Sequence, residues 1–208
     1  MSHNTNNKQL FTIGHSTLEA DAFVALLKEN GVSAVADVRS SPYSRFSPQY
    51  NTDSLRRLLL DNQIQYVFLG EELGARRSEP ECYVDDVAKY ELIATTEAFA
   101  RGIQRLRTGL ASRRIALLCA EKDPLTCHRT ILVCRHLRED AAISHIIGPG
   151  ECETQEQAET RLLSLIGLPE RDLFRSRAEL LDEAYTKQGE QIAYRRQALT
   201  GANSTEGD

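Results

Sequence analysis

The sequence predicts an α/β fold: an open, mainly parallel sheet with helices on both faces, Rossmann-like and three-layered, continued by a C-terminal helical extension. Three observations lead there. Short apolar runs such as AVADV at 34–38 and IALL at 115–118 have the length of buried strands and are too short for helices. Between them lie stretches with apolar residues at helical spacing, the alternation that parallel strands joined by right-handed crossovers require. One junction, IALLCAEKDPLTCHRTILVCRHL at 115–137, shows a whole strand–loop–helix unit.

In order, QLFTIG at 9–14 opens the sheet. Ser16-x-x-Glu19 fits a capping box for a helix to Asn30, with Phe23, Leu26 and Leu27 on one side. The second strand, 34–38, runs into a loop rich in Ser and Pro at 39–48. Thr52 or Asp53 caps the next helix, with Leu55, Leu58 and Leu59 inward, and YVFL at 66–69 is the third strand. Residues 70–89 read as a long loop over the site, followed by a helix to about Ala111 carrying Phe99, Ile103, Leu106 and Leu110. Asp123-Pro124 is an N-cap with proline at the first helical position, so a continuous helix is expected from Leu125 to Leu137. SHII at 144–147 is a last short strand. The division expected is a core domain at 9–150, a helical extension at 151–199 and a disordered tail at 200–208. In the extension, Ala158, Leu162 and Leu165 make one packing face, and Leu181, Tyr185 and Ile192 a thinner one.

A length of 208 residues suits one domain with an extension. No apolar run is long enough for a membrane span, and the polar N-terminus lacks a signal peptide's apolar centre, so no membrane partner is expected. Five cysteines without framework spacing read as reduced thiols of a cytoplasmic protein. The net charge is −5, but residues 1–150 carry 18 basic and 18 acidic side chains, and the excess lies in 151–208, with 7 and 12. A charge-balanced core offers no basic face for nucleic acid.

In open parallel sheets ligands bind beyond the carboxyl ends of the strands. Those ends carry His15 and Ser16, then Arg39 with Ser41 and Arg45, then Cys119 with Glu121. The junction adds Cys127, His128 and Arg129. Helix N-termini beside that edge favour an anion, and three arginines on one rim would clamp it. A thiol beside a helix N-terminus is stabilised as thiolate, although a cysteine closing a buried strand is as often an inert small hydrophobe. No cofactor is expected. Nor is a metal: a compact site of Cys119, Cys127 and His15 has no standard ligand spacing behind it.

TIGHS at 12–16, DVRSSPYSRFSPQYN at 37–51, IQYVFLGEELGARR at 64–77 and CAEKDPLTCHR at 119–129 resemble the domain of unknown function 488 family, over roughly residues 9–150. The usual family form after the third strand resembles LGG-x-R, where this chain has Leu73-Gly74-Ala75-Arg76. The resemblance implies a cytosolic α/β protein with the paired-cysteine junction as its hallmark, and no established reaction.

Together these features predict a thiol-dependent enzyme acting on an anionic, phosphate- or nucleotide-like small molecule. Cys119 is the expected nucleophile, Cys127 its partner, and Glu121 or His15 the proton-handling group. Ser16, Arg39, Ser41, Arg45, His128 and Arg129 are the expected substrate-binding residues. Two alternatives stand beside it: a non-catalytic module binding a nucleotide or nucleic-acid phosphate, and a redox sensor closing a Cys119–Cys127 pair.

Overall fold

The computed structural model describes residues 8–196, so the expected tail at 200–208 lies outside the described residues. Strand β6 (Ile115–Cys119) lies between β2 (Ala34–Asp37) and β1 (Gln9–Gly14), parallel to both, with all five residues buried. Its apolar run has no alternation because helices cover both of its faces. β3 (Gln65–Phe68) extends the sheet beyond β2, and β7 (Ala142–Gly148) lies on the other side of β1, both parallel. β8 (Glu151–Thr154) adds an antiparallel edge, which completes six strands in the order β3-β2-β6-β1-β7-β8. The α/β class with helices on both faces is therefore observed. Among the described residues no helix is long and apolar enough to cross a membrane.

On one face α1 (Ala20–Glu29) and α2 (Thr52–Asp61) bury Phe23, Leu27, Leu55 and Leu59 against Phe11, Val35, Ala116 and Leu118. On the other, α5 (Glu97–Gly109), α6 (Gln155–Ile166) and α7 (Arg177–Ile192) share a core with Leu10, Ala36, Leu117 and Ile143. Residues 70–89 are not one loop: α3 (Gly70–Leu73) is followed by a hairpin of β4 (Tyr83–Val84) and β5 (Val87–Ala88). The single helix expected before Ala111 is two, α4 (Tyr90–Ala94) and α5, because the Thr96 hydroxyl accepts from the Phe99 amide and restarts the helix.

Four further expectations are corrected. Ser16 does not cap α1: it adopts a left-handed turn at φ 42°, and Glu19 occupies the N-cap position without a side-chain bond. The segment from 151 opens not with helix but with β8, and Thr154 then starts α6 with a capping box to Gln157. Leu165 is exposed, and Leu163 takes the buried place on α6.

The fourth concerns the junction. No continuous helix runs from Leu125. Asp123 caps a three-residue 3₁₀ turn, Pro124–Thr126, by accepting from the Leu125 amide at 2.9 Å. Cys127 is extended, at φ −135° and ψ 138°. A wide π-type turn, Arg129–Val133, then passes into a 3₁₀ turn, Cys134–His136. The chain therefore stops and restarts at Cys127, and that break sets the geometry of the site.

Candidate functional site

The site lies where β6 and β2 end. Beyond β6 the chain stays beside β1, with the amides of His15 and Ser16 donating to the carbonyls of Cys119 and Ala120 at 3.0 and 2.9 Å. Gly14 makes that approach available, since a Cβ there would collide with the Glu121 carbonyl. Arg129, with no exposed surface, holds the same loop from below. Its Nη1 donates to the Glu121 carbonyl at 2.6 Å and its Nη2 to that of Lys122 at 3.0 Å. Nε donates to Thr12 Oγ1 at 3.3 Å. Arg129 is thus a structural pin and not part of an anion clamp.

Cys127 begins the second helical piece. Its carbonyl accepts from the amides of Thr130 and Ile131, and its sulfur accepts from the Arg129 amide at 3.4 Å. One residue on, His128 Nε2 stands 2.9 Å from the Val38 carbonyl, which can only accept, so the proton is on Nε2. That leaves Nδ1 facing two sulfurs, 3.7 Å from Cys119 Sγ and 3.9 Å from Cys127 Sγ. Cys119 Sγ donates in turn to Glu121 Oε2 at 3.0 Å.

These contacts divide the two thiols. Burial opposes ionisation of Cys127, but the hydrogen bond from Cys119 and the charges of Arg129 and His128 override it and bring its pKa well below the usual thiol value. The hydrogen bond to Cys127 pushes Cys119 well up, with burial and Glu121 adding to it. Burial lowers the pKa of His128, yet the Cys127 sulfur more than restores it, so its net shift is upward. The direction of these shifts favours Cys127 over Cys119 as the thiolate, whereas Cys119 is the expected nucleophile. His128, expected as a binding group, is the imidazole that serves both sulfurs.

His15 does not reach them. Arg39 Nη1 lies 3.3 Å from its Nε2, its Nδ1 lies 3.1 Å from the Ser16 carbonyl, and its ring stacks on Tyr50 at 4.2 Å. Burial, and then the charge of Arg39, lowers its pKa despite the Ser16 carbonyl. It is a neutral structural imidazole. Arg39 itself is matched by Asp37, with Nε to Oδ1 at 2.8 Å and Nη2 to Oδ2 at 2.6 Å, and Nη2 also donates to the Tyr50 carbonyl.

Cys119, Cys127 and His128 form the floor of a cavity of about 320 Å³. Arg39, Ser41 and Glu121 also line it, as expected, whereas Ser16, Arg45 and Arg129 do not. The rim of three arginines does not exist. Sequence reasoning missed Arg76, whose guanidinium lies 4.9 Å over the Tyr194 ring with no carboxylate partner among the described residues. Arg76 is positioned by its amide, which donates to Ser40 Oγ at 2.9 Å, and by α3, whose Gly70 sits too close to the Arg39 carbonyl for any Cβ. It belongs to the GARR stretch at 74–77, which was a signal. Tyr90, Ile192 and Tyr194, also in the lining, carried none.

Behind the site a buried polar chain reaches the C-terminal helices. Thr12 Oγ1 is 2.8 Å from His145 Nδ1, and His145 Nε2 is 3.0 Å from Gln155 Oε1. Gln155 Nε2 donates to the Tyr185 hydroxyl at 2.6 Å, which donates to Glu159 at 2.9 Å. α7 also holds the 3₁₀ turn directly, with Gln188 Nε2 donating to the Leu125 carbonyl at 2.7 Å.

No curated protein and no solved structure matches the chain. One family model does, described as Domain of unknown function DUF488, over residues 19–135. That span takes in the Asp37–Arg39 pair, Arg76 and the junction from Cys119 to Arg129, and stops before His145 and the C-terminal helices. Covering more than half of the sequence, the match shows that the chain belongs to the Domain of unknown function DUF488 family.

Proposed function

We propose that the protein is a thiol-dependent enzyme of the cytoplasm, acting on a small molecule that carries an anionic group. One observation carries this reading. Cys127 Sγ, on the floor of a cavity, accepts a backbone N–H at 3.4 Å and lies 3.9 Å from an imidazole nitrogen whose ring is fixed by the Val38 carbonyl. A nucleophile beside a base that a third group orients is the general arrangement for covalent catalysis. Cys127 attacks the electrophilic centre as the thiolate, and His128 Nδ1, holding the proton taken from Cys127, passes it to the leaving group. Cys119, whose one proton goes to Glu121 Oε2, stays neutral beside the thiolate. Arg76 at the cavity wall meets the anionic group, with its planar face braced by Tyr194.

The test is mass-spectrometric mapping after brief iodoacetamide treatment of the folded, reduced, metal-free protein at neutral pH. Cys127 should label well ahead of Cys134, which is fully buried in the core. His128→Ala should slow that labelling. If no junction cysteine outpaces Cys134, the pocket is a binding module without thiol chemistry.

The cysteine-pair redox reading keeps one specific support, since the sulfurs of Cys119 and Cys127 lie within 4.8 Å of each other. Mild oxidation would then remove two titratable thiols per chain, and an unchanged thiol count would end that reading.

A further inference from the structure

We propose that Cys119 Sγ, Cys127 Sγ and His128 Nδ1 form a site for a thiophilic divalent cation, zinc first among them, with the fourth coordination position open to the cavity. The spacing supports it. Zinc bonds of about 2.3 Å to sulfur and ~2.0 Å to nitrogen, at tetrahedral angles, place sulfur and nitrogen ligands roughly 3.6 Å apart. The two sulfur–nitrogen separations here are 3.7 and 3.9 Å. All three ligand atoms lie within 4.8 Å of one another, so closing on an ion needs side-chain shifts of tenths of an ångström.

The groups around the ligands fit as well. Metal-binding imidazoles characteristically donate their other N–H to a carbonyl or carboxylate, which fixes the tautomer. His128 Nε2 is already placed on the Val38 carbonyl at 2.9 Å. Thiolate ligands are steadied by N–H donors, and the Arg129 amide meets Cys127 Sγ. The backbone is held on both sides, by Arg129 on the Glu121 and Lys122 carbonyls and by the break at Cys127. Two sulfurs and one imidazole select zinc-like ions over magnesium or calcium, which take oxygen.

Glu121 Oε2 is 3.0 Å from Cys119 Sγ but stands outside the ligand triangle. With three protein ligands and a free position on a cavity, the site resembles reactive zinc centres rather than closed structural ones. The inference does not rest on Cys127 being a nucleophile. A bound ion would occupy both sulfurs, so the metal-loaded and thiol-reactive forms are alternative states of one site.

The experiment titrates the full-length, reduced, metal-free protein with cobalt(II). The expected result is one cobalt per chain, with thiolate-to-cobalt charge transfer in the near ultraviolet, displaced by one equivalent of zinc. Cys119→Ser and Cys127→Ser should each weaken uptake at least tenfold, while Cys152→Ser, at an exposed site elsewhere, should not change it. No stoichiometric uptake, or uptake undiminished in folded Cys127→Ser, would overturn the proposal. X-ray absorption of the zinc-loaded wild type needs no variant: two sulfur ligands support the site, and none refutes it. Iodoacetamide mapping separates the two readings. Labelling of Cys127 without metal and protection by zinc supports both. Labelling that zinc does not slow refutes the metal site alone. Cobalt uptake with no labelling of the metal-free protein refutes the nucleophile alone.

Discussion

Arg129 Nη1 donates to the Glu121 carbonyl at 2.6 Å, so a buried guanidinium, and not a ligand, shapes the loop that follows the central strand. Three hydrogen bonds from one buried side chain meet two loop carbonyls and the Thr12 hydroxyl, and removing them leaves the loop without its support. Arg129→Met should therefore lower the unfolding free energy by about 3 kcal/mol, more than lost packing alone explains. Urea denaturation at unchanged m reads this. A shift below about 1 kcal/mol would mean that the loop keeps its shape without the pin.

The C-terminal helices bear on the same loop. From the sequence, the acidic segment is expected to stand apart from the site. The structure instead puts Ile192 and Tyr194 in the cavity wall and Gln188 on the Leu125 carbonyl. Gln188→Ala leaves that carbonyl unpaired beside a hole and should cost about 2 kcal/mol. Gln188→Leu loses the same hydrogen bond, and the same unpartnered Oε1, but fills the hole, and so should cost less. Equal losses would show that the hole contributes little. Truncation after residue 168 should remove both supports, and a truncated protein with wild-type stability would contradict this packing.

Much of the sheet is legible in the sequence because β1, β2 and β6 are buried on both faces, and such strands must be apolar throughout. The junction is legible because thiols, carboxylates and an imidazole crowd one loop. Its internal geometry is not. Arg39 and Arg129 both look like rim cations, and what separates pin from rim is which carbonyls the folded loop leaves unmet. His15 and His128 each follow a strand end or a cysteine, and only the Val38 carbonyl, from a neighbouring strand, turns one of them toward the sulfurs. Tyr194 reaches the cavity because α7 folds back over the sheet, a long-range event with no local pattern.

The anion is expected at Arg76. Phosphate that binds only the native state raises its melting temperature. That rise should shrink in Arg76→Ala and stay unchanged in Arg45→Ala, because Arg45 is exposed away from the cavity. Thermal denaturation with and without phosphate decides it. Equal rises in all three proteins would remove Arg76 from the binding site.

A last prediction concerns His145, which has no exposed surface. Arg129 Nε donates to Thr12 Oγ1, so the hydroxyl proton points to His145 Nδ1, and Nε2–H points to Gln155 Oε1. Every position in this relay is filled by a neutral ring, and a second ring proton would face a hydroxyl already committed as donor. Burial, and after it the charge of Arg129, brings the pKa down to about 4, although Glu153 and Gln155 pull the other way. In the unfolded chain the ring titrates near its ordinary 6.5. Above that pH it is neutral in both states and adds no slope. As pH falls below about 6.5 the unfolded chain takes up a proton that the folded one refuses, so stability is lost progressively down to about 4. The full loss is about 3 kcal/mol, and about 2 kcal/mol of it should appear between pH 7.5 and 5. His145→Asn will be less stable at pH 7.5 but should lack that component, so its stability should fall less over the same interval. Urea titrations of both proteins at the two pH values provide the comparison. Identical losses would mean that His145 takes up its proton in the folded protein as easily as in the unfolded one, and that the chain from Arg129 to Glu159 is not closed.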